Sequence, residues 1–244
     1  MGKLLTNVVR VMDQLLPPGC SVCGVGVAQG PPLCIVCASR IRTIPRPYCT
    51  RCGATTTSSQ DASSCDLCDS WPTGLSGSAS AVIHVPPADL LIAGLKYRGW
   101  TGLAPVLGRL MLGPLTHLAE SQAAVLVPVP MDPTKRRRRG FNQATLLAGE
   151  LSGLSGLPMV EALGRRSATR RQAESGRTQR FENVHGVFYR RPEVQLPAGS
   201  IILIDDVLTT GATAAACATV ISEAGHDCLG VVTFARALQR PDEG

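Results

Sequence analysis

The pattern of hydrophobic and polar positions changes near residue 73, and the change divides the chain into two parts. Beyond this point, short aliphatic runs alternate with stretches in which apolar residues recur every three or four positions. The runs predict strands at residues 80–85, 124–130, 201–206 and 228–235. The periodic stretches predict helices at residues 88–98, 103–120, 143–154 and 213–224. Such alternation indicates an α/β fold: a mostly parallel sheet with flanking helices, whose functional site lies beyond the carboxyl ends of the strands.

The first part of the chain has a different pattern. In residues 1–16, apolar residues recur at three- and four-residue spacing, which predicts a short amphipathic helix. Large apolar residues are then scarce, too scarce for residues 1–72 to fold around a core of their own. Gly and Ser are frequent in residues 73–80, which are predicted to form a linker. We therefore expect domains at residues 1–72 and 81–244, joined by this linker.

Eight of the ten cysteines stand in four pairs, with two residues between the members of each pair. The pairs are Cys20 and Cys23, Cys34 and Cys37, Cys49 and Cys52, and Cys65 and Cys68. Such a pair lies on one turn and binds one metal ion, and a second pair completes a tetrahedral shell of four thiolates around zinc. Four pairs therefore predict a double zinc ribbon with two zinc ions. Because four thiolates leave no ligand position for water, both ions should be structural.

A disulfide framework or a redox pair is the alternative for these cysteines. Arg10 and Asp13 interrupt the N-terminal apolar residues before they reach the length of a signal-peptide core, so we expect a cytoplasmic protein, in which disulfides do not persist. We also expect no transmembrane segment, because no stretch approaches ~18 apolar residues. Zinc is therefore favoured. The pattern leaves open which pairs share an ion, although two consecutive ribbons of adjacent pairs are the simplest arrangement.

Charge is distributed unevenly along the chain. The formal net charge is +6, yet residues 126–200 hold 13 Lys and Arg against 6 Asp and Glu, and residues 201–244 hold 2 against 6. The basic stretch favours a polyanionic partner, either phosphates of a small molecule or a nucleic-acid backbone. The acidic stretch beside it favours a metal ion or sugar hydroxyls.

Residues 201–213 (IILIDDVLTTGAT) combine these features in one segment. Four aliphatic residues predict a buried strand, Asp205 and Asp206 come where it ends, and a loop rich in Thr and Gly leads into an Ala-rich helix. Backbone N–H groups at a helix start bind phosphate, and the loop hydroxyls add donors. The two carboxylates would repel a phosphate but suit vicinal hydroxyls or a shared Mg²⁺ ion. The segment therefore predicts a ligand with a ribose 5-phosphate.

This segment resembles the signature with which type I phosphoribosyltransferases bind 5-phosphoribosyl 1-pyrophosphate (PRPP). The resemblance implies that Asp205 and Asp206 are catalytic residues that hold the ribose, and that the residues after them hold the 5-phosphate. Those residues are Val207, Leu208, Thr209, Thr210, Gly211, Ala212 and Thr213. Residues 95–99, 127–148 and 169–188, with the cysteine pairs ahead of them, occur in the order seen in ComF-type proteins. The chain is therefore similar to the ComF family over nearly its whole length, with RGFNQ at residues 139–143 as its most specific match.

The resemblance implies roles for further residues. In related transferases the loop after the second core strand holds pyrophosphate, a position that Pro130 and Met131 match here. The run KRRRR at residues 135–139 is expected on the same loop as a polyanion contact, its alternative being a solvated face; Arg139 and Asn142 are the candidates for direct ligand contact. Residues 165–180 are expected to form a mobile lid over PRPP, with Gln172 as a ligand contact and Arg177 as a catalytic residue. Lys96 and Tyr97 also match the family pattern, but packing explains them equally well.

Three functions remain open from the sequence. The first is Mg²⁺-dependent transfer of the phosphoribosyl group from PRPP to an unknown acceptor. The second is a PRPP sensor without catalysis, and the third is an accessory protein that binds single-stranded nucleic acid. ComF relatives are associated with natural competence, so the resemblance also implies single-stranded DNA and the DNA-uptake machinery as partners. No acceptor pocket is recognisable in the sequence, so the enzyme and the sensor are not separated.

Overall fold

The structure, a computed structural model, describes residues 19–27, 32–56, 65–119, 123–167 and 186–238. The amphipathic helix predicted in residues 1–16 lies outside the described residues. Within the described ranges, no helix is both long and apolar enough to cross a membrane.

Four parallel strands form the main sheet. They are β1 (Gly77–Ile83), β2 (Ala124–Pro128), β5 (Ser200–Leu208) and β6 (Cys228–Arg236), and the short strands β3 (Leu163–Arg165) and β4 (Phe188–Arg190) form a separate antiparallel pair. The order in the sheet is β1–β6–β5–β2. β5 and β6 occupy the centre because their aliphatic residues can be buried on both faces. The predicted fold class, a mostly parallel sheet with flanking helices behind a cysteine-rich segment, is confirmed.

Seven α-helices lie within the described residues. They are α1 (Ile35–Ser39), α2 (Asp66–Asp69), α3 (Ala88–Tyr97), α4 (Ala104–Ala119), α5 (Pro133–Arg139), α6 (Gln143–Ser155) and α7 (Ala212–Glu223). Alternate residues of β5 pack on opposite faces of the sheet: Ile202 and Ile204 join the core of α3, α4 and α6, whereas Ile201 and Leu203 join the core of α7 and β3–β4. The carboxyl end of β5 is thereby held from both sides.

β1 begins at Gly77, inside residues 73–80, for which the sequence predicts a linker. Gly, Ser and Ala have little intrinsic preference for a strand, so the local pattern does not indicate one. The sheet imposes it, because Gly77 to Ser80 pair in register with Gly230 to Thr233 of β6. Gly230 is required at this crossing, since a side chain there would overlap the carbonyl of Gly77.

The basic run at residues 135–139 lies in α5, so the prediction that it forms a loop is wrong. Asp132 caps this helix by accepting hydrogen bonds from the backbone N–H groups of Thr134 (2.9 Å) and Lys135 (3.2 Å). Pro133 is its first residue, and Gly140 ends it with a φ of 88°. Asp-Pro before the run and Gly after it are helix boundary signals that the charge pattern obscures.

The eight paired cysteines form two clusters. Cluster 1 consists of Cys20, Cys23, Cys34 and Cys37, and cluster 2 consists of Cys49, Cys52, Cys65 and Cys68. Adjacent pairs therefore share a site, which is the simplest arrangement that the sequence allows. Each cluster combines a turn bearing a glycine with positive φ, Gly24 or Gly53, and the start of a short helix, α1 or α2.

The geometry of both clusters fits zinc. The four ligand atoms of each cluster lie within 4.8 Å of one another. Neighbouring sulfurs are 3.7 Å apart for Cys23 and Cys34, and 3.5 Å apart for Cys52 and Cys65. Tetrahedral Zn–S bonds of about 2.3 Å require S–S separations of about 3.8 Å. Four thiolates in this arrangement fill the coordination sphere of a structural ion.

The cysteine clusters also belong to the cores of the larger fold. Cys20 and Cys37 are buried with residues of α3 and α4, whereas Cys49, Cys52 and Cys68 are buried with residues of α7. Loss of a cluster should therefore destabilise more than the ribbon that contains it.

We predict that the purified protein contains two zinc ions per chain, and that Cys52→Ser lowers this content to one and lowers the Tm of the whole protein. Elemental analysis and differential scanning calorimetry measure the two effects. Cys217→Ala is the matched control, because Cys217 is buried in the same core but belongs to neither cluster. A zinc content below one per chain in the unmodified protein would contradict this assignment.

Candidate functional site

A cavity of about 500 Å³ opens at the carboxyl ends of β2 and β5. Residues predicted as site residues from three separate stretches of the chain meet in it. They are Pro130, Met131, Arg139, Asp205, Asp206, Val207, Thr209 and Thr213. The topology explains this convergence, because β2 and β5 are neighbouring parallel strands and the segments that follow them emerge at the same edge of the sheet.

Residues Thr209, Thr210 and Gly211 form the Thr-rich loop between β5 and α7. Gly211 is the N-cap of α7 and has a φ of 83°, a left-handed conformation that favours glycine. The first turn of the helix directs N–H groups and partial positive charge toward this loop. Leu208, Thr210 and Gly211 line a smaller cavity of about 50 Å³ that also contacts Thr209 and Thr213. Ala212 is the first residue of α7. The loop thus has the features of an anion site.

The acidic pair lies on the last part of β5. Asp206 is buried, and its Oδ2 is 2.5 Å from the Nζ of Lys96, in the last turn of α3. Asp205 accepts a hydrogen bond of 2.8 Å from the backbone N–H of Asp206. Burial, together with the charge of Asp206, raises the pKa of Asp205 well above its ordinary value. The pair therefore carries one ion-paired carboxylate and one that resists ionisation.

α5 forms the basic wall of the cavity. Lys135 and Arg139 stand four residues apart, on one face of the helix, and both line the cavity. Arg139 donates a hydrogen bond to Oε1 of Gln143, and its guanidinium lies 5.7 Å from the ring centre of Tyr97. Arg137 is exposed and lines none of the cavities described here. Helical geometry thus separates cations that face the cavity from cations that face solvent.

Asn142 does not reach the main cavity and lines a neighbouring one of about 120 Å³. It caps α6 by accepting a hydrogen bond from the backbone N–H of Ala144 (3.2 Å), and its Nδ2 donates to the carbonyl of Val129 (3.0 Å). Asn142 thereby ties the start of α6 to the loop of Pro130 and Met131. Its position suits support of that loop better than direct contact with a ligand.

Two predicted site residues, Gln172 and Arg177, lie outside the described residues. Arg165, predicted as part of the mobile segment 165–180, is instead the last residue of β3 and lines the main cavity. Its guanidinium lies 5.2 Å from the ring centre of Phe188 on β4. A three-residue strand is too short to predict from pattern, so sequence reasoning missed it. For Lys96 the sequence does not distinguish ligand binding from packing, whereas in the structure it lines the main cavity and forms an ion pair with Asp206.

Comparison with known proteins agrees with this organisation. The sequence matches the double zinc ribbon domain family over residues 11–69. The DNA utilization protein YhgH of Escherichia coli strain K12 is 30% identical over 231 residues, which cover 92% of this chain and 100% of that protein. Relatives named competence protein F and competence protein ComFC match as well. This chain belongs to the ComF family.

The two relatives named for competence are less similar to this chain than YhgH is. Competence protein F of Haemophilus influenzae is 26% identical over 214 residues, covering 84% of this chain and 90% of that protein. Competence protein ComFC of Bacillus subtilis is 26% identical over 187 residues, covering 74% of each chain. Both carry competence in their names, as the sequence resemblance implies.

One solved structure that the comparison finds is adenine phosphoribosyltransferase of Saccharomyces cerevisiae, in complex with adenine and an imino-altritol bisphosphate. It is 16% identical and covers 56% of this chain and 69% of that chain, with a TM-score of 0.34. A likeness at this TM-score is too weak to support a conclusion about this ComF-family chain.

We predict that Asp205→Asn stabilises the ligand-free protein at pH 7. The pKa of Asp205 is raised in the folded state above the ordinary value of 3.8, so its ionisation opposes folding at neutral pH. The advantage of the neutral variant should shrink as the pH falls through the folded pKa and vanish below about 4, where the carboxyl is protonated in both states. Urea unfolding at several pH values measures this, with the exposed Asp227→Asn as control. An advantage that is independent of pH would contradict the assigned cause.

Proposed function

We propose that this chain binds PRPP with Mg²⁺ in the 500 Å³ cavity and transfers its phosphoribosyl group to an acceptor. The observation that carries the proposal is that Asp205, Thr209 and Thr213 line both the main cavity, which also contains Asp206, and the 50 Å³ cavity of the Thr-rich loop. A ligand that satisfies both must present a phosphate and hydroxyl groups on a short frame. A ribose 5-phosphate does so, and PRPP adds a pyrophosphate that requires further cations.

Each part of PRPP then has a chemically matched partner. The 5-phosphate binds at the Thr-rich loop and the start of α7, where N–H groups and hydroxyls converge. Asp205 and Asp206 accept hydrogen bonds from the ribose hydroxyls. Lys135 and Arg139 face the pyrophosphate from α5, next to the loop of Pro130 and Met131. Mg²⁺ supplies charge neutralisation of the pyrophosphate when it is bound.

The reaction needs little more from the protein than binding and orientation. The bond between C1 of the ribose and pyrophosphate breaks, the electron pair leaves with pyrophosphate, and a nucleophile of the acceptor forms the new bond to C1. Cations at the leaving group favour this step because negative charge grows there. Lys96 is released from Asp206 if that carboxylate turns to the ribose, and its ammonium is then free to face the pyrophosphate.

The binding proposal predicts that two groups of variants lose affinity for different parts of PRPP. Asp205→Asn and Asp206→Asn should lower PRPP affinity and its dependence on Mg²⁺ yet preserve binding of inorganic phosphate. Thr209→Val and Thr213→Val should weaken both ligands by about tenfold, since a lost hydrogen bond to an anion costs about 1 to 3 kcal/mol. Thr219→Val on the same helix is the matched control, because it lines none of the cavities described here. Isothermal titration calorimetry measures every affinity.

Two results would contradict the site assignment. The first is wild-type protein that binds no PRPP in the presence of Mg²⁺. The second is that the Asp variants and the Thr variants, while folded, lose affinity for PRPP and for inorganic phosphate to the same extent. Gly211 is unsuitable for this test, because a side chain there would overlap the ring of Trp71 and disturb packing. Transfer is tested separately by incubating the protein with PRPP, Mg²⁺ and a metabolite extract. Pyrophosphate release with a new ribosylated product supports the enzyme, whereas binding without release favours the sensor.

A second candidate function is binding of single-stranded nucleic acid along α5. Arg136, Arg137 and Arg138 are exposed, and Tyr97, whose exposed fraction is 74%, stands beside Arg139. Cations that contact phosphates next to an exposed aromatic ring that can stack on a base are typical of single-strand binding. The names of the relatives, which refer to DNA utilization and competence, agree with this candidate.

We predict that replacing Arg136, Arg137 and Arg138 with Glu weakens binding of single-stranded DNA regardless of its sequence. The slope of log affinity against log salt should become shallower by about 2, since each lost phosphate contact on a single strand contributes ≈ 0.7. Fluorescence anisotropy across a salt series measures the slope. As a control, the loss of affinity for single-stranded DNA caused by Arg137→Glu should be compared with the loss caused by Arg109→Glu, because Arg109 is an exposed arginine on α4. Equal effects of these two single variants would leave α5 as a solvated face.

A further inference from the structure

Trp71 supports the Thr-rich loop from the side of cluster 2. It follows Cys68 by three residues, and its backbone N–H donates a hydrogen bond of 3.0 Å to the Cys68 carbonyl. Its ring is buried and occupies the space that a side chain at Gly211 would need. Its Nε1–H donates a hydrogen bond of 3.1 Å to the carbonyl of Thr210. The ring therefore contacts two of the three loop residues.

Arg236, the last residue of β6, makes a second connection between the same two parts. Its side chain is almost fully buried. One terminal nitrogen, Nη1, donates to the carbonyls of Leu208 (3.1 Å) and Thr209. The other, Nη2, lies 3.9 Å from the Sγ of Cys52 in cluster 2. A single guanidinium thus joins the end of β5, the Thr-rich loop and a cluster cysteine.

The ribbon itself holds Trp71 in place. The guanidinium of Arg51, which lies between Cys49 and Cys52 in the chain, is 5.8 Å from the ring centre of Trp71. It donates hydrogen bonds to the carbonyls of Cys68 (3.0 Å) and Leu75 (3.1 Å). The position of the Trp71 ring therefore depends on Arg51, which lies within one cysteine pair of cluster 2, and on Cys68, which belongs to the other.

These contacts determine which way the loop peptides face. In a planar trans peptide, the C=O of one residue and the N–H of the next point in opposite directions. The carbonyls of Thr209 and Thr210 are held toward Arg236 and Trp71, so the N–H groups of Thr210 and Gly211 point away from cluster 2. Neither Trp71 nor Arg236 lines the main cavity or the 50 Å³ cavity, so both act on a ligand only through the loop.

We infer that Trp71 and Arg236 are positioning residues through which cluster 2 orients the Thr-rich loop for a phosphate group, so that zinc binding at cluster 2 and ligand binding at the loop strengthen each other. This inference rests on the phosphate site of the proposed function. Coupling between two sites is reciprocal: if zinc at cluster 2 favours the ligand, the ligand favours zinc by the same factor. That reciprocity provides a readout that a purely structural role would not produce.

The first experiment separates orientation from folding. Trp71→Phe keeps an aromatic ring against Gly211 but removes the hydrogen bond to Thr210, and Arg236→Lys keeps a cation but cannot span the loop and Cys52. Both variants should retain two zinc ions and bind PRPP with Mg²⁺, and inorganic phosphate, about three- to tenfold more weakly. Trp100→Phe and Arg190→Lys are the matched controls, since Trp100 packs against the core of α3, α4 and α6 and Arg190 donates a hydrogen bond to the carbonyl of Val194.

The chain contains two tryptophans, so Trp100→Phe also leaves Trp71 as the single fluorophore. Its emission should change on titration with inorganic phosphate, and the midpoint should match the affinity from calorimetry. An emission that stays constant while calorimetry reports binding would overturn the inference.

The second experiment measures the coupling directly. Wild-type protein is equilibrated with a competing zinc chelator, with and without saturating PRPP and Mg²⁺, and the zinc retained per chain is determined. PRPP should protect one of the two ions, and Trp71→Phe should lose that protection. Wild-type protein that fails to bind PRPP refutes the proposed function. Wild-type protein that binds PRPP without protecting zinc, together with variants that bind PRPP as tightly as their controls, refutes the positioning role alone.

Discussion

Two carboxylates at the end of a buried strand impose the constraint on which the rest of the site depends. β5 is covered on both faces, and its backbone carries Asp205 and Asp206 to a place that is largely removed from water. A carboxylate there is costly unless a cation, a hydrogen bond or a proton compensates its charge. Lys96 compensates Asp206, and the raised pKa of Asp205 favours its protonated form. The positive end of α7 begins only a few residues farther along.

Helical geometry determines what the basic run can contact. On a loop, five consecutive cations could all turn toward one polyanion. On α5 they are distributed around the helix: Lys135 and Arg139 face the main cavity, Arg136 lines the cavity that also contains Asn142, and Arg137 faces solvent. One short element therefore offers cations to a small-molecule ligand and to an extended backbone at once. This division allows both candidate functions to use the same run through different residues.

Features that repeat or that carry special residue types could be predicted from the sequence. Aliphatic runs indicate the strands, the cysteine spacing indicates two four-thiolate sites, and the carboxylates before a Thr-rich turn indicate the end of β5 at which the candidate site lies. The ion pair of Lys96 with Asp206 could not be predicted, because it joins residues 110 positions apart that only the sheet order brings together. The β3–β4 pair could not be predicted either, since three-residue strands leave no periodic signal. Helix α5 was not predicted either, because the run of charges dominates the pattern between its ordinary boundary residues Asp132, Pro133 and Gly140.

The ribbons contribute to the sheet itself, which bears on what they can do. β1 is the first strand in the order of the sheet, so one side of its backbone has no neighbouring strand. Its residues Ser78 and Ile83 donate hydrogen bonds to the carbonyls of Arg51 (2.7 Å) and Arg42 (2.9 Å), which belong to the cysteine-rich segment. The ribbons thus cover an edge that would otherwise be open, while their cysteines complete the cores on both faces. Surfaces engaged in this way are not available to a nucleic acid, whereas the exposed arginines of α5 are.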